Sequence, residues 1–148
     1  MEKVNKVINE LFVDVFNQIL ILEERALAKA SHFDVTMTEI HVIEAINKCV
    51  PSTMGIVSKK LMITLGTLTT SVNRLVEKGY VTRFRNEDDR RVVFLSLTEK
   101  GEEIFSLHEA FHEELMNAAL KDLEGREDLT LALESILRFF KRLQESKE

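Results

Sequence analysis

Val57–Thr98, VSKKLMITLGTLTTSVNRLVEKGYVTRFRNEDDRRVVFLSLT, is the stretch whose reading decides the fold. Val57, Leu61 and Ile63 supply apolar anchors for a short helix and its exit. Leu68, Val72 and Leu75 then follow as the inward edge of a second helix, at helical three- and four-residue spacing. Thr64 stands where an N-cap belongs, and Gly79 ends the helix as a C′ glycine. Val81–Arg85 and Val92–Leu97 read as strands around the charged tip Asn86–Arg91. Two short helices across a tight turn, followed by a hairpin, make a winged helix-turn-helix.

Removing the inward edge leaves Gly66, Thr67, Thr69, Thr70, Asn73 and Arg74 pointing outward. Small hydroxyl and amide side chains at a helix start fit a major groove about 12 Å wide and can bond base edges. Thr64, as N-cap, leaves backbone N–H groups aimed at a phosphate, and Gly66 permits close backbone approach. Threonine is a weaker helix former than Ala, Glu or Lys, so this row favours contact chemistry over a merely solvated face. In the wing, Arg91 suits the negative minor groove, with Asp89 orienting it. Arg83, Arg85 and Arg90 are assigned to flanking phosphates. From Lys59 to Arg91 eight basic residues face four acidic ones, a local charge of +4 within a chain of net charge −5. A basic island on an acidic body is the footprint of duplex DNA binding.

Outward from this unit the chain is mainly α-helical, with the hairpin wing its one β element. Val4, Ile8, Leu11, Val15, Ile19, Leu22 and Ala26 form one stripe of a long first helix, with Phe12, Phe16 and Leu20 beside it. Ser31–Val35 breaks the pattern, Thr36 or Thr38 caps a second helix to about Lys48, and Ser52 or Thr53 opens the third. Thr98-Glu99-Lys100-Gly101 starts a long fifth helix. After a break near Glu124-Gly125, Leu129, Leu133, Ile136, Phe140 and Leu143 suit a helix–helix seam. The expected division is a DNA-binding lobe at 36–100 and a helical dimerisation region at 1–35 and 101–148. Two apolar helices at opposite chain ends favour a two-fold dimer. With 148 residues, 45% hydrophobic and 30% charged, the composition is that of a globular domain large enough for a core. No apolar run approaches a membrane span and no signal-peptide h-region opens the chain, so a cytoplasmic protein is expected. Cys49 is the only cysteine, which excludes an internal disulfide and suits a small apolar packing role over a redox sensor.

His108 and His112 lie i, i+4 on one helix face, a workable spacing for two zinc ligands, which His41 and Glu23 or Glu24 can complete. The alternatives are hydrogen bonding between helices or the lining of an effector pocket. No nucleophile–base set, Gly-rich phosphate loop or carboxylate pair stands out, so no enzyme is expected.

Asp89-Arg90-Arg91 followed by Leu97-Thr98-Glu99-Lys100-Gly101, between long terminal helices, resembles the MarR-type winged-helix repressors over essentially the whole chain. More narrowly, LMITLGTLTTSVNRLVEKGYV (61–81) and HEAFHEE (108–114) resemble the branch that represses bacterial fatty-acid synthesis genes. That resemblance implies a homodimer on a palindromic operator, with long-chain acyl groups on acyl carrier protein as corepressor. No cofactor is required under it. Met62 departs from the glycine common in such turns, so a somewhat different turn backbone is expected. An acyl effector needs an elongated apolar cavity, for which Phe16, Ile19, Leu20, Ile40, Ile43, Phe84, Phe105, His108 and Phe111 are candidates. Arg25 and Lys29 are candidates for docking the acidic carrier protein. Zinc-responsive members of the same family have ligands matching Glu24, His41, His108 and His112, although this chain lacks the Cys they carry near the end of the first helix. A protein-interaction module that has lost DNA binding is the remaining alternative.

Overall fold

A computed structural model of the chain describes residues 2–29, 32–85, 87, 89, 91–121 and 127–145. It falls into two compact units, Met1–Phe111 and His112–Glu148. The first unit opens with α1 (Glu2–Glu10), a π-helical stretch (Leu11–Val15) and α2 (Phe16–Lys29). Glu10 and Phe16 both keep right-handed helical angles, so the three pieces read on as one helix. The π stretch changes the phase of that helix. A wider turn inserts an extra residue into the period, and every later position rotates relative to an ideal α-helix. Leu22 of the expected stripe is exposed in the single chain, as are Val4, Leu11 and Val15, while Glu23 is buried and Leu27 packs on the core.

Thr36 opens α3 (Met37–Lys48) with a full capping box. Its hydroxyl accepts from the Glu39 N–H at 3.2 Å, and the Glu39 carboxylate accepts from the Thr36 N–H at 2.9 Å. Lys78 Nζ closes on the same carboxylate at 2.9 and 3.0 Å. Burial pushes the Glu39 carboxyl up, but the Lys78 and Thr36 hydrogen bonds outweigh it and hold the group below its ordinary value.

Thr53 caps α4 (Met54–Leu61), and Thr64 caps α5 (Leu65–Glu77). Between them Met62 takes the left-handed conformation, φ 54°, that the tight turn requires. The expectation of an altered turn backbone is thus not met: methionine adopts the glycine-like geometry, with its side chain out in solvent. After α5, Gly79 at φ 78° completes a Schellman motif, the Tyr80 N–H donating to Leu75 O and the Gly79 N–H to Val76 O.

β1 (Val81–Arg85) pairs antiparallel with β2 (Val93–Leu97), Val81 opposite Leu97 and Phe84 opposite Phe94. Thr53 forms a further bridge to Phe94, tying the start of α4 to the wing. α6 (Glu99–Lys121) comes next, and its signature residues have structural reasons. The Thr98 hydroxyl donates to Gly79 O and accepts from the Gly101 N–H. Lys100 lies 4.0 Å over the Tyr80 ring, and a Cβ at Gly101 would collide with the Tyr80 carbonyl oxygen.

The core gathers Ile40, Ile43 and Ile46 of α3, Val57 of α4, Leu68, Val72 and Leu75 of α5, and Leu95 of β2. Ile104 and Phe105 of α6 belong to the same core, as do Phe33 and Val35. Each fully buried aliphatic or aromatic side chain stabilises by about 1.5–3 kcal/mol before entropy is counted. The 36–100 lobe therefore shares its core with residues outside those bounds. Cys49 is half-buried against the same cluster.

In the second unit α7 (Glu127–Glu145) is amphipathic. Leu133, Phe140 and Leu143 of its expected seam are exposed in the single chain, and Leu129 and Ile136 half-buried. The expected break at Glu124-Gly125 lies outside the described residues. No described helix is long and apolar enough to cross a membrane.

Candidate nucleic-acid interface

α5 presents its polar side as expected. Leu68, Val72 and Leu75 are at most 1% exposed, which turns Gly66, Thr67, Thr69, Thr70, Asn73 and Arg74 away from the core. The threonine hydroxyls are organised by the helix itself. Thr64 Oγ1 accepts from the Thr67 N–H at 3.1 Å and lies 2.8 Å from Thr67 Oγ1. Thr69 Oγ1 donates to Leu65 O at 2.7 Å, and Thr70 Oγ1 to Gly66 O at 3.2 Å. Gly66 has room for a side chain, since the nearest atom to an added Cβ is Thr64 Oγ1 at 3.9 Å. Internal packing does not demand a glycine there.

The wing is charged as read. Arg91 Nε and Nη2 donate to the two Asp89 carboxylate oxygens at 3.0 and 3.2 Å, and the Arg91 N–H adds a third bond at 3.1 Å. These bonds hold the Asp89 carboxyl below its ordinary value. The Arg91 side chain is 91% exposed, held by one edge and open on the other. Arg85 and Arg74 are exposed, and Arg90 lies outside the described residues.

Arg83, expected on a flanking phosphate, is exposed, and its Nη1 donates to Asn73 Oδ1 of α5 at 2.6 Å. A groove of about 700 Å³ separates the starts of α4 and α5 from the wing, lined by Thr53, Leu65, Thr69, Arg83, Arg85 and Arg91 among others. The α4 contribution, Thr53 with Met54 and Gly55, was not visible in the sequence. It depends on the Thr53–Phe94 bridge and on Leu95 N–H donating to Ser52 O at 2.8 Å, long-range pairings without a local pattern. The one available signal was Gly55 so early in a helix.

Phe84 does not join the apolar residues expected to line an effector cavity. It is 55% exposed on the wing, stacked on Phe94 at 5.4 Å, and lines the groove. Alternation along β1 puts it on the opposite face from Val81. Ile40, Ile43, Phe105 and His108 are buried, Ile19, Leu20 and Phe111 half-buried, and Phe16 exposed. Arg25 and Lys29 are exposed.

A second polar cluster lies among α2, α3 and α6. Glu23 is 5% exposed, with His41 Nε2 at 3.7 Å and His108 Nε2 at 3.8 Å from its two oxygens. One ligand atom from each of the three residues lies within 4.8 Å of the others. Glu23, not Glu24, is the inward acid; Glu24 is exposed. Glu44 approaches His108 Nδ1 at 3.9 Å. His112, one turn further along α6, belongs to the second unit.

Residues 28–110 match the family described as transcriptional regulator SarA/Rot. Over 80% of this chain and 90% of the relative, the sequence is 32% identical to the multiple antibiotic resistance protein MarR of Escherichia coli strain K12. The chain belongs to the MarR family of winged-helix transcriptional regulators. As a MarR-family protein it is a DNA-binding, dimeric regulator, and relatives it matches are named as transcriptional regulators. A crystal structure of Streptococcus pneumoniae FabT in complex with DNA is 38% identical, with a TM-score of 0.84 over 95% of this chain and 98% of that one. Staphylococcus aureus MarR in complex with salicylate and kanamycin, 20% identical, shares the MarR fold with a TM-score of 0.78 over 99% of this chain and 96% of that one.

Proposed function

We propose that this regulator is a cytoplasmic homodimeric repressor of fatty-acid synthesis genes, binding a palindromic operator with long-chain acyl-acyl carrier protein as corepressor. The observation that carries the reading is the likeness to FabT, 38% identical along nearly the whole length of both chains. The resemblance of residues 61–81 and 108–114 to the fatty-acid-repressor branch supports it.

In this mechanism α5 of each protomer enters a major groove through Gly66, Thr67, Thr69, Thr70 and Asn73. Arg91 grips the minor groove beside it. Two protomers read half-sites about 34 Å apart along the duplex. The effector acts by favouring the protomer spacing that matches those grooves, since a ligand binding both spacings equally shifts nothing. The acyl chain would lie against Ile19 and Leu20, reaching towards Ile40, Ile43, Phe105 and His108. Arg25 and Lys29 would meet the acidic carrier protein.

A gel-shift titration on the upstream region of a fatty-acid synthesis operon, with and without long-chain acyl-acyl carrier protein, tests this. Affinity rises with the acylated carrier and not with the free carrier. Unchanged affinity would remove the acyl effector while leaving DNA binding in place.

One observation favours a second reading, zinc regulation. Glu23, His41 and His108 offer a buried carboxylate oxygen and two imidazole nitrogens in one place, a donor set that suits zinc. The same titration with zinc and with a chelator separates the two readings. Stoichiometric metal lost in His108→Ala would favour the second.

A further inference from the structure

The Arg83–Asn73 hydrogen bond joins the wing to the DNA-facing helix and constrains what that helix can read. Val81, Arg83 and Arg85 alternate onto one face of β1, and Val81 on that face is buried in the core beneath α5. The fold therefore aims Arg83 at α5, where its Nη1 reaches Asn73 Oδ1 at 2.6 Å. A guanidinium has N–H donors and no acceptor, so the amide end that meets it is the oxygen. The Asn73 NH2 group then faces the other way, and its two donors are the end offered to a ligand.

The neighbouring hydroxyls carry the opposite character. Thr69 and Thr70 donate their protons to Leu65 O and Gly66 O, leaving each with a γ-methyl group and oxygen lone pairs. The outward face of α5 thus combines donors at Asn73 with acceptors and methyl groups one turn earlier.

An asparagine in a major groove ordinarily holds adenine bidentately, its oxygen accepting from N6 while its NH2 donates to N7. That arrangement needs oxygen and nitrogen side by side on the base edge. With the oxygen held towards β1 by Arg83, the NH2 donors are the end of Asn73 that faces a base edge, and the side-by-side pairing that adenine needs is disfavoured. We propose that Arg83 is a specificity-positioning residue: it holds the Asn73 amide so that each half-site is read at that position through an acceptor edge, guanine N7/O6 or thymine O4, and not as adenine. The proposal rests on DNA binding by this family member and is independent of which effector controls it.

Selection from a pool of randomised duplexes, followed by affinity measurement on single-base variants of the selected site, tests this. The proteins compared are the unmodified chain, Arg83→Met, Asn73→Ala and the double variant. Thermal melts first establish that each is folded; Arg83 is exposed, and methionine keeps much of its length. The unmodified chain selects G or T over A at one base pair per half-site, by about tenfold for a single well-made contact. Asn73→Ala erases the preference at that pair alone. Arg83→Met moves the same pair towards adenine and leaves the other positions unchanged. The double variant matches Asn73→Ala. A uniform loss of affinity in Arg83→Met, with unaltered base preference and a shallower salt dependence, would overturn the proposal by making Arg83 a phosphate contact. Absence of any duplex binding by the unmodified chain would overturn both the proposal and the DNA-binding reading beneath it.

Discussion

Individual side chains in this interface divide by what they trade. Gly66 is the second residue of α5 with space for a Cβ, where glycine costs up to about 1 kcal/mol relative to alanine. Gly66→Ala should therefore raise folding stability by up to that amount, read as a higher Tm, while weakening duplex binding in the same preparation. If affinity were unaffected, the glycine would have no role in close approach. Arg91 trades differently. Asp89 holds it by one edge and leaves it 91% exposed, so it is preorganised without being neutralised by burial. Arg91→Ala should weaken binding to specific and random duplexes alike and lower the slope of log affinity against log salt by about one. A loss confined to one sequence would make Arg91 a base reader instead.

At the scale of elements, caps and turn residues were the most legible features. Thr36, Thr53 and Thr64 each begin a helix because an N-cap needs only a short-range hydroxyl. Gly79 ends one because only glycine takes φ near +78° without strain. The fate of Glu39 was not legible, since Lys78 lies 39 residues away. This triad makes a pH prediction. The folded Glu39 carboxyl sits below its ordinary value, so the unfolded chain binds the proton more readily. Its stabilising contribution is complete above pH about 4.5 and is lost as pH falls below that. The Tm difference between the unmodified chain and Glu39→Gln should accordingly shrink on acidification from pH 6 to pH 3; a constant difference would refute the linkage. In the first helix the stripe members Val4, Leu11, Val15 and Leu22 are exposed in the single chain, and a hydrophobic period does not mark the buried acid, Glu23, beside them. Hydrophobicity alone suggests an interior place for Phe84, but strand register decides otherwise.

Across the whole molecule the winged helix and its basic face were readable because they are local, from Val57 to Thr98. The Glu23–His41–His108 cluster was readable only as candidates, because three helices must converge to make it. The terminal helices carry the other large-scale fact. Val4, Leu11, Phe12, Val15 and Phe16 are exposed in the single chain, as are Leu133, Phe140 and Leu143. Such apolar surface is covered most simply by a second copy, in keeping with a dimeric family. Replacing Leu133 and Phe140 with glutamate should shift sedimentation from two chains towards one and abolish tight operator binding without unfolding the winged lobe. A variant still sedimenting as two chains would place the dimer seam elsewhere.

Whether paired basic winged helices grip duplex DNA is decided by affinity and stoichiometry on duplexes across a salt series. Two chains per site and a steep, linear fall of log affinity with log salt are expected. One chain per duplex, or no binding to any duplex even at low salt, would contradict that expectation.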